Sequence, residues 1–154
     1  MSEPGLVYWR VLEPIWDQVS IYNGADTFLT GFTQLSEIQQ HLFAAHWCQS
    51  EVRNGGFHQF FSNPTGVLAP EAVRAFAVIG LVEAAEVLTR ALRFFGAHYP
   101  RDQSVRLLML RSLVGQQRSE WDPFYALDPE FYRVIDSSSG RFARLADVYA
   151  ESTH

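Results

Sequence analysis

The sequence predicts an all-α fold, in the form of a compact multi-helix single domain that spans residues 1–154. Apolar residues recur at spacings of three and four along most of the chain, as they do on one face of a helix. No stretch sustains the strict alternation that is typical of a half-buried strand. Helix start and stop signals, chiefly Ser, Asp-Pro and Gly, separate the periodic stretches. A chain of 154 residues is long enough to bury a sizeable core as one domain.

The first third of the chain predicts two short elements and one long helix. Pro14 favours a helix start, and the apolar residues after it indicate a short helix that ends before residue 24. Asp26 is expected to cap a turn that Gly31 ends. Ser36, followed three residues later by Gln39, is a capping-box signature. The helix that starts there is the expected central helix, with apolar positions at Leu35, Ile38, Leu42, Ala45, Cys48 and Val52.

Further helices are indicated in the second half of the chain by apolar stripes between Gly and Pro signals. Asp122-Pro123 and Asp128-Pro129 each offer an N-cap residue followed by Pro at the first helical position. The expected helices cover residues 70–80, 81–95, 102–116, 128–135 and 142–149.

A corner is predicted where the central helix reaches Asn54, Gly55 and Gly56. A helix end needs a residue in the left-handed region just past it, and Gly adopts that conformation without steric cost. One glycine therefore ends the helix, and the second lets the next segment approach closely. The short helix expected after the corner has one apolar face, which should be buried. That face consists of Phe57, Phe60 and Phe61.

Polar side chains surround the same corner, and two interpretations of them are open. In the first, they satisfy loop backbone groups around an aromatic plug. In the second, they line the pocket of a ligand-binding domain or a small enzyme. A deep pocket lined by all of them would favour the second interpretation. The residues are Glu51, Asn54, His58, Gln59 and Asn63, followed by a closing turn at Gly66.

The corner motif resembles the signature of the DNA-mimic protein 19-like family, a bacterial family otherwise labelled a domain of unknown function. The resemblance extends over roughly residues 35 to 150. It implies an all-helical, dimeric, cytoplasmic protein, and the family's namesake is an acidic protein that occupies the DNA-binding surface of a transcriptional regulator. The residues that carry it are Glu51-Val52, Asn54-Gly55-Gly56-Phe57, Gln59-Phe60-Phe61, Asn63 and Gly66, then Ala72, Ile79-Gly80, Leu127-Asp128 and Phe131-Tyr132.

Charge is distributed unevenly along the chain, whose formal net charge is −5. Residues 1–52 carry −5, residues 53–119 carry +4 with eight arginines, and residues 120–154 carry −4. Two surfaces of opposite sign would follow if the acidic ends pack side by side. Arg101, Arg106 and Arg111 are five residues apart, which spreads them around a helix, so we expect no direct contact with nucleic acid.

Neither a metal site nor a redox site is expected. The single cysteine, Cys48, excludes an intramolecular disulfide. His41 and His46 are five residues apart and so point to different faces of the helix, which disfavours a shared metal ion. An acid/base pair of Glu51 and His58 across the corner is conceivable but lacks a second partner for either group. The sequence therefore implies no cofactor.

The start of the chain shows no basic region followed by an apolar run, and the longest apolar run, residues 75–82, is too short to span a membrane. We therefore expect a cytoplasmic protein.

Together these observations predict a non-enzymatic, homodimeric protein that binds a protein partner. Its specific form would be an acidic DNA mimic that binds a DNA-binding regulator. The alternatives are a small enzyme or ligand-binding domain that uses the polar corner, and an immunity-type interaction protein that uses an apolar surface. The acidic residues predicted to contact the partner are Glu13, Asp17, Glu120, Asp122, Asp128 and Glu130.

Overall fold

The fold was analysed in a computed structural model, which describes residues 3–116, 122–136 and 140–152. The predicted all-α class is confirmed: the described residues form eight α-helices joined by turns and short 3₁₀ helices, with no strand among them. No helix within these ranges is long and apolar enough to cross a membrane. The helices are α1 (Leu6–Leu12), α2 (Ala25–Phe32), α3 (Glu37–Ser62), α4 (Ala69–Ile79), α5 (Val82–Leu92), α6 (Gln103–Gln116), α7 (Leu127–Ile135) and α8 (Arg141–Ser152).

Helix α3 is the central element, as the sequence predicts. The Ser36 side chain accepts a hydrogen bond from the Gln39 backbone N–H, and the Gln39 side chain accepts one from the Ser36 backbone N–H, so the capping box is confirmed. Helices α1, α4, α6, α7 and α8 pack against α3, and α5 packs against α4 and α7. The buried apolar side chains of all these elements form one contiguous core.

The N-terminal elements differ from the prediction. The helix expected from Pro14 onward is wrong: α1 precedes it, a 3₁₀ turn covers Glu13–Ile15, and residues 16–23 form turns. The physical reason is a long-range cap. The Asp147 carboxylate on α8 accepts hydrogen bonds from the backbone N–H groups of Gly5 (2.7 Å) and Tyr8 (2.9 Å) and so satisfies the start of α1. Local sequence contains no sign of this contact.

Gly31 does not end the element that follows, which is a second correction. It lies inside α2, because Phe28 and Phe32, one turn apart on the same face, are both buried and hold the helix against the core. Gly24 precedes the helix, and Asp26 lies in its first turn, where a carboxylate favours the helix dipole.

Arg106 on α6 joins the end of α3 to the loop before α6. Its guanidinium is fully buried and donates hydrogen bonds to the backbone carbonyls of Phe61 (2.9 Å), Asn63 (2.8 Å) and Arg101 (2.6 Å). These carbonyls include the last ones of α3, which have no helical donor, and a cation is favourable at that end of the helix dipole. Arg106 therefore caps the C-terminus of the central helix from another element.

Gly66 of the family motif is required by the same packing. A Cβ atom at Gly66 would lie 2.8 Å from the carbonyl oxygen of Phe60 and 2.9 Å from Nε of Arg106. Tyr99 adds a further contact, because its hydroxyl donates to the Gly66 carbonyl at 2.6 Å. The turn after α3 is thus packed too tightly for any side chain at this position.

We therefore predict that Gly66→Ala lowers the free energy of unfolding by about 1–3 kcal/mol, because the methyl group must displace backbone or the buried guanidinium. Gly31→Ala is the matched control. A Cβ there would meet only Val19, at 3.9 Å, so alanine in this helix should be neutral or stabilising by up to about 1 kcal/mol. Urea unfolding of both variants measures the difference, and equal shifts would contradict the assignment.

Candidate functional site

The predicted corner interrupts α3 at Gly55 and Gly56. Gly55 has φ −153° and Gly56 has φ 77°, so only the second glycine occupies a conformation that favours Gly over other residues. Both positions also lack space for a Cβ atom. At Gly55 it would overlap the Gln59 side chain, and at Gly56 it would overlap the Asp128 carboxylate. The close approach that the sequence predicts at the corner is therefore made by Asp128 of α7.

Asp128 replaces the hydrogen bond that the break in α3 removes. Its Oδ1 accepts from the backbone N–H of Phe57 at 3.0 Å, across 71 residues of sequence. This corrects the predicted role of Asp128 as the N-cap of its own helix, since the residue before α7 is Ala126 and Asp128 lies in the first turn. The pKa of the Asp128 carboxyl is raised to about 6, mainly by burial and to a smaller extent by the nearby Asp122 carboxylate, while the hydrogen bond from Phe57 acts to lower it.

The aromatic face after the corner is buried, as predicted. Phe57, Phe60 and Phe61 are each 0% exposed. The Phe57 ring meets Phe131 of α7 edge-on at 5.1 Å, and the Phe61 ring meets Phe95 at 4.8 Å. Edge-on aromatic pairs of this kind add to the energy of apolar burial. These three residues of the motif therefore stabilise the fold and are inaccessible to a ligand.

The polar side chains of the corner bond mainly to one another. Oε2 of Glu51 accepts hydrogen bonds from Nδ2 of Asn63 at 2.6 Å and from Nε2 of Gln59 at 3.5 Å. Nδ2 of Asn54 donates to Oε1 of Gln59 at 3.1 Å. This network bridges the two halves of α3 across the break. It lies beside an open groove that is also lined by Gln49, Ser50 and Arg53.

His58 is directed away from that groove. It lines a separate, mostly apolar cavity with Ser62, Leu107, Leu110 and Arg111, and its Nδ1 lies 3.4 Å from the Ser62 hydroxyl. The structure therefore does not bring Glu51 and His58 into one cavity, and the five polar residues of the corner do not line a common deep pocket.

Two histidines of α3, His41 and His46, lie within hydrogen-bond distance of tyrosine hydroxyls, and the cysteine of α3 is buried. Nδ1 of His41 lies 2.6 Å from the Tyr149 hydroxyl, and Nδ1 of His46 lies 3.0 Å from the Tyr8 hydroxyl. Burial lowers the pKa of His46 to about 4 and raises the pKa of the Cys48 thiol. Within the described ranges, no group of three His, Cys, Asp or Glu side chains is placed to hold a metal ion.

The six predicted partner-binding acids are placed in different environments. Glu13 and Asp17 are exposed. Asp122 is buried, at 6% exposure, and accepts from the Phe124 backbone N–H at 2.9 Å. Glu130 forms an ion pair with Arg90. Asp128 accepts the hydrogen bond from the Phe57 N–H at the corner, and Glu120 lies outside the described residues.

Much of the basic middle segment is used inside the fold, which charge counting did not reveal. Arg53 pairs with Asp136 at 2.6 Å, and Arg101 pairs with Glu71 through both guanidinium nitrogens at 2.7 and 3.0 Å. Arg90 pairs with Glu130, and Arg106 is buried against carbonyl oxygens. Of the seven arginines in this segment that the structure describes, four are therefore engaged.

Besides Glu3, four acids near the N-terminus remain exposed. Among the described residues, no ion pair engages any of them. Asp26 and Glu37, which the sequence analysis did not include among the partner-binding acids, lie in the first turns of α2 and α3. In the sequence, both residues could have been recognised as exposed acids by their position next to a helix start. The set, called here the N-terminal acids, is Glu13, Asp17, Asp26 and Glu37.

Protonation of Asp128 gives a test of the corner. Since its folded pKa, about 6, exceeds the ordinary value of 3.8 for an aspartate, the folded state binds this proton more tightly, and the contribution of Asp128 to stability decreases as pH rises through about 6. Asp128→Asn keeps an acceptor for Phe57 without the charge. We expect it to raise the free energy of unfolding at pH 8 by about 1 kcal/mol relative to wild type, allowing for solvent screening of a partly buried carboxylate.

The gain from Asp128→Asn should disappear at pH 4, where the carboxyl is largely protonated. Asp128→Ala is the control, because it leaves the Phe57 N–H unpaired and should destabilise by about 1–3 kcal/mol at both pH values. Chemical unfolding at pH 4 and pH 8 distinguishes the variants. A destabilised Asp128→Asn at pH 8 would show that the ionised carboxylate is favourable at the corner.

Comparison with known proteins supports the resemblance seen in the motif. Residues 33–152 match the family model described as DMP19-like protein. No curated protein and no solved structure matches the chain. The matched range begins just before α3 and includes the whole corner, whereas Glu13, Asp17 and Asp26 precede it. Because the match covers well over half of the 154 residues, the chain belongs to the DMP19-like protein family.

Proposed function

We propose that this protein is a non-enzymatic binding protein whose N-terminal acids contact the basic surface of a protein partner. The observation that carries the proposal is the asymmetry of charge in the fold. The N-terminal acids are exposed and outside ion pairs in the described part of the chain, whereas Arg53, Arg90 and Arg101 are paired and Arg106 is buried. Arg10 of α1 is the one arginine in residues 1–52, so the surface around α1 and α2 carries an excess of exposed acids.

The partner that fits this surface best is a DNA-binding regulator in the cytoplasm. DNA presents one negative charge for roughly every 1.7 Å of its axis, and proteins that bind it carry clustered Lys and Arg. Carboxylates held on helix starts can occupy the same basic surface. Membership of the DMP19-like family supports this form of the proposal. Such a contact depends on long-range attraction and should weaken as salt concentration rises.

A ligand-binding or catalytic role for the polar corner has less support. Glu51, Asn54, Gln59 and Asn63 bond mainly to one another and hold the two halves of α3 together. His58 lines a different cavity. The hydrogen bonds at the corner therefore give these four residues a structural role.

We also propose that the protein forms a homodimer through α6. This helix carries apolar side chains on opposite sides, since Leu110 is 2% exposed whereas Leu108 is 64% and Val105 43% exposed. A helix that is apolar on opposite sides is normally covered on both. A second copy of the chain is the occupant that fits, because apolar surfaces of this kind are typical of homodimer interfaces.

The partner proposal predicts the effect of charge reversal. In the full chain, Glu13→Arg combined with Asp17→Arg should weaken binding of a captured DNA-binding regulator tenfold or more, which is about 1.4 kcal/mol or more. Glu83→Arg, an exposed acid in the first turn of α5, is the control and should leave binding unchanged. Surface plasmon resonance with the regulator immobilised measures the difference.

Duplex DNA should compete with the wild-type chain for that regulator. Retained binding by the double variant, or simultaneous binding of DNA and the chain to the regulator, would contradict the proposal.

The dimer proposal predicts that Leu108→Glu converts the protein to a monomer, because it places a charge in the apolar contact. Val148→Glu on α8 is matched to it, since Val148 is 60% exposed, and should leave the dimer intact. Light scattering after size-exclusion chromatography gives the mass of each variant. A wild-type monomer, or a dimeric Leu108→Glu variant, would show that α6 is not the interface.

A further inference from the structure

A cavity of about 280 Å³ lies between the irregular segment of residues 16–22 and helix α3. The volume is at the small end of the range for small-molecule sites, roughly 300–1,000 Å³, and suits a single long side chain. Neither the family motif nor the polar corner contributes to it. Its principal lining residues are Trp16, Asp17, Tyr22, Phe43 and Trp47.

Four of the eight residues that line the cavity are aromatic. The Trp16 and Trp47 rings are stacked, with centroids 5.3 Å apart and an interplanar angle of 16°, and Phe43 lies 5.5 Å from Trp16. Tyr22 is 73% exposed although it is a large aromatic residue. Exposed aromatic residues beside an aromatic cavity are typical of recognition surfaces, because they provide a large contact area with few rotatable bonds.

The indole N–H of Trp47 adds a second observation. Its Nε1 atom is buried and has no hydrogen-bond acceptor among the described residues. An indole N–H needs an acceptor, which a cationic side chain does not have, so this group reports on the cavity without selecting its occupant. Trp47 is therefore a natural spectroscopic reporter of this cavity.

The charges around the cavity favour a cation. Asp17 is exposed and is the one charged residue among the described residues that line it. Glu13, also exposed, lies four residues earlier. His46 packs against Trp16 and Trp47 at 5.6 and 5.9 Å, but burial lowers its pKa to about 4, so it is neutral and does not repel a cation.

The neighbouring cavity has the opposite character. Tyr22 lines both cavities, and on its other side lie Arg101 and Arg106 with Asp102. A cationic side chain that reaches Tyr22 is therefore favoured on the side of Asp17 and disfavoured on the side of the two arginines.

From this arrangement we propose that the cavity receives an arginine side chain of the protein partner. The proposal rests on the proposed function, since it names the anchor through which a basic partner is held beside the N-terminal acids. A guanidinium is planar, weakly hydrated and permanently charged, so it can stack on an aromatic face and pair with a carboxylate at the same time. Arginine is also among the residues that most often dominate binding energy when they fill a pocket.

The test uses the full chain and a short probe in place of the partner. Acetyl-Gly-Arg-Gly-amide is titrated into ¹⁵N-labelled protein while the indole N–H resonances are recorded, with the Trp47 signal assigned from Trp47→Phe. The control peptide replaces arginine with citrulline, which has nearly the same shape without the charge. The arginine peptide should shift the Trp47 signal in a saturable manner, and the citrulline peptide should bind at least threefold more weakly.

Variants locate the site. Asp17→Asn and Tyr22→Ala should each weaken arginine-peptide binding about threefold or more. The matched controls are Glu83→Gln and Tyr125→Ala, since Tyr125 is 71% exposed elsewhere on the surface, and they should have no effect. Asp17 and Tyr22 are both exposed, so their replacement leaves the core intact, and an unchanged amide spectrum confirms that each variant is folded.

Two results would overturn the proposal: no saturable shift of the Trp47 signal at tens of millimolar peptide, or equal binding of the arginine and citrulline peptides. Either result would leave the acidic contact itself standing, because charge reversal at Glu13 and Asp17 and competition by DNA are measured on the regulator. Conversely, the chain could bind the arginine peptide but fail to compete with DNA for the regulator. That result would support the arginine-binding cavity and exclude the role as a DNA mimic.

Discussion

The break in α3 at Gly55 and Gly56 is the constraint on which the rest of the structure depends. A helix interrupted at this point leaves the Phe57 N–H without its normal acceptor, and Asp128 supplies one from α7. The contact fixes α7 against α3 and so aligns the aromatic residues that follow the break with Phe131. Position 56 requires glycine for two reasons: its φ is positive, and the Asp128 carboxylate occupies the space that a Cβ atom would need.

The second half of α3 is held at its far end by another long-range polar contact. Arg106 is fully buried, and its guanidinium donates hydrogen bonds to carbonyl oxygens at the end of the helix and does not pair with a carboxylate. Removing this charge from water is costly, and the hydrogen bonds to the carbonyls of Phe61, Asn63 and Arg101 offset that cost. Charged side chains thus fix both ends of the aromatic segment.

Ion pairs account for part of the positive charge of the middle segment. Arg53, Arg90 and Arg101 each pair with an acid of another element, so these pairs add no net charge to the surface on which they lie. The acids before and at the start of α3 are left without such partners in the described structure. The family match begins at residue 33, so it includes the corner, whereas three of the N-terminal acids, Glu13, Asp17 and Asp26, precede it.

Local patterns in the sequence were sufficient to predict the all-α class and the buried aromatic face from periodicity, the capping box from Ser36 and Gln39, and the family from the corner motif. Contacts in the folded chain were needed to show where α1 begins, which group fills the corner and which charges remain exposed. Each of those depends on a contact between residues distant in sequence, such as Asp147 with Gly5 or Asp128 with Phe57. A pattern of spacings carries no record of such pairs, because the energy of a buried charge is set by its neighbours in space.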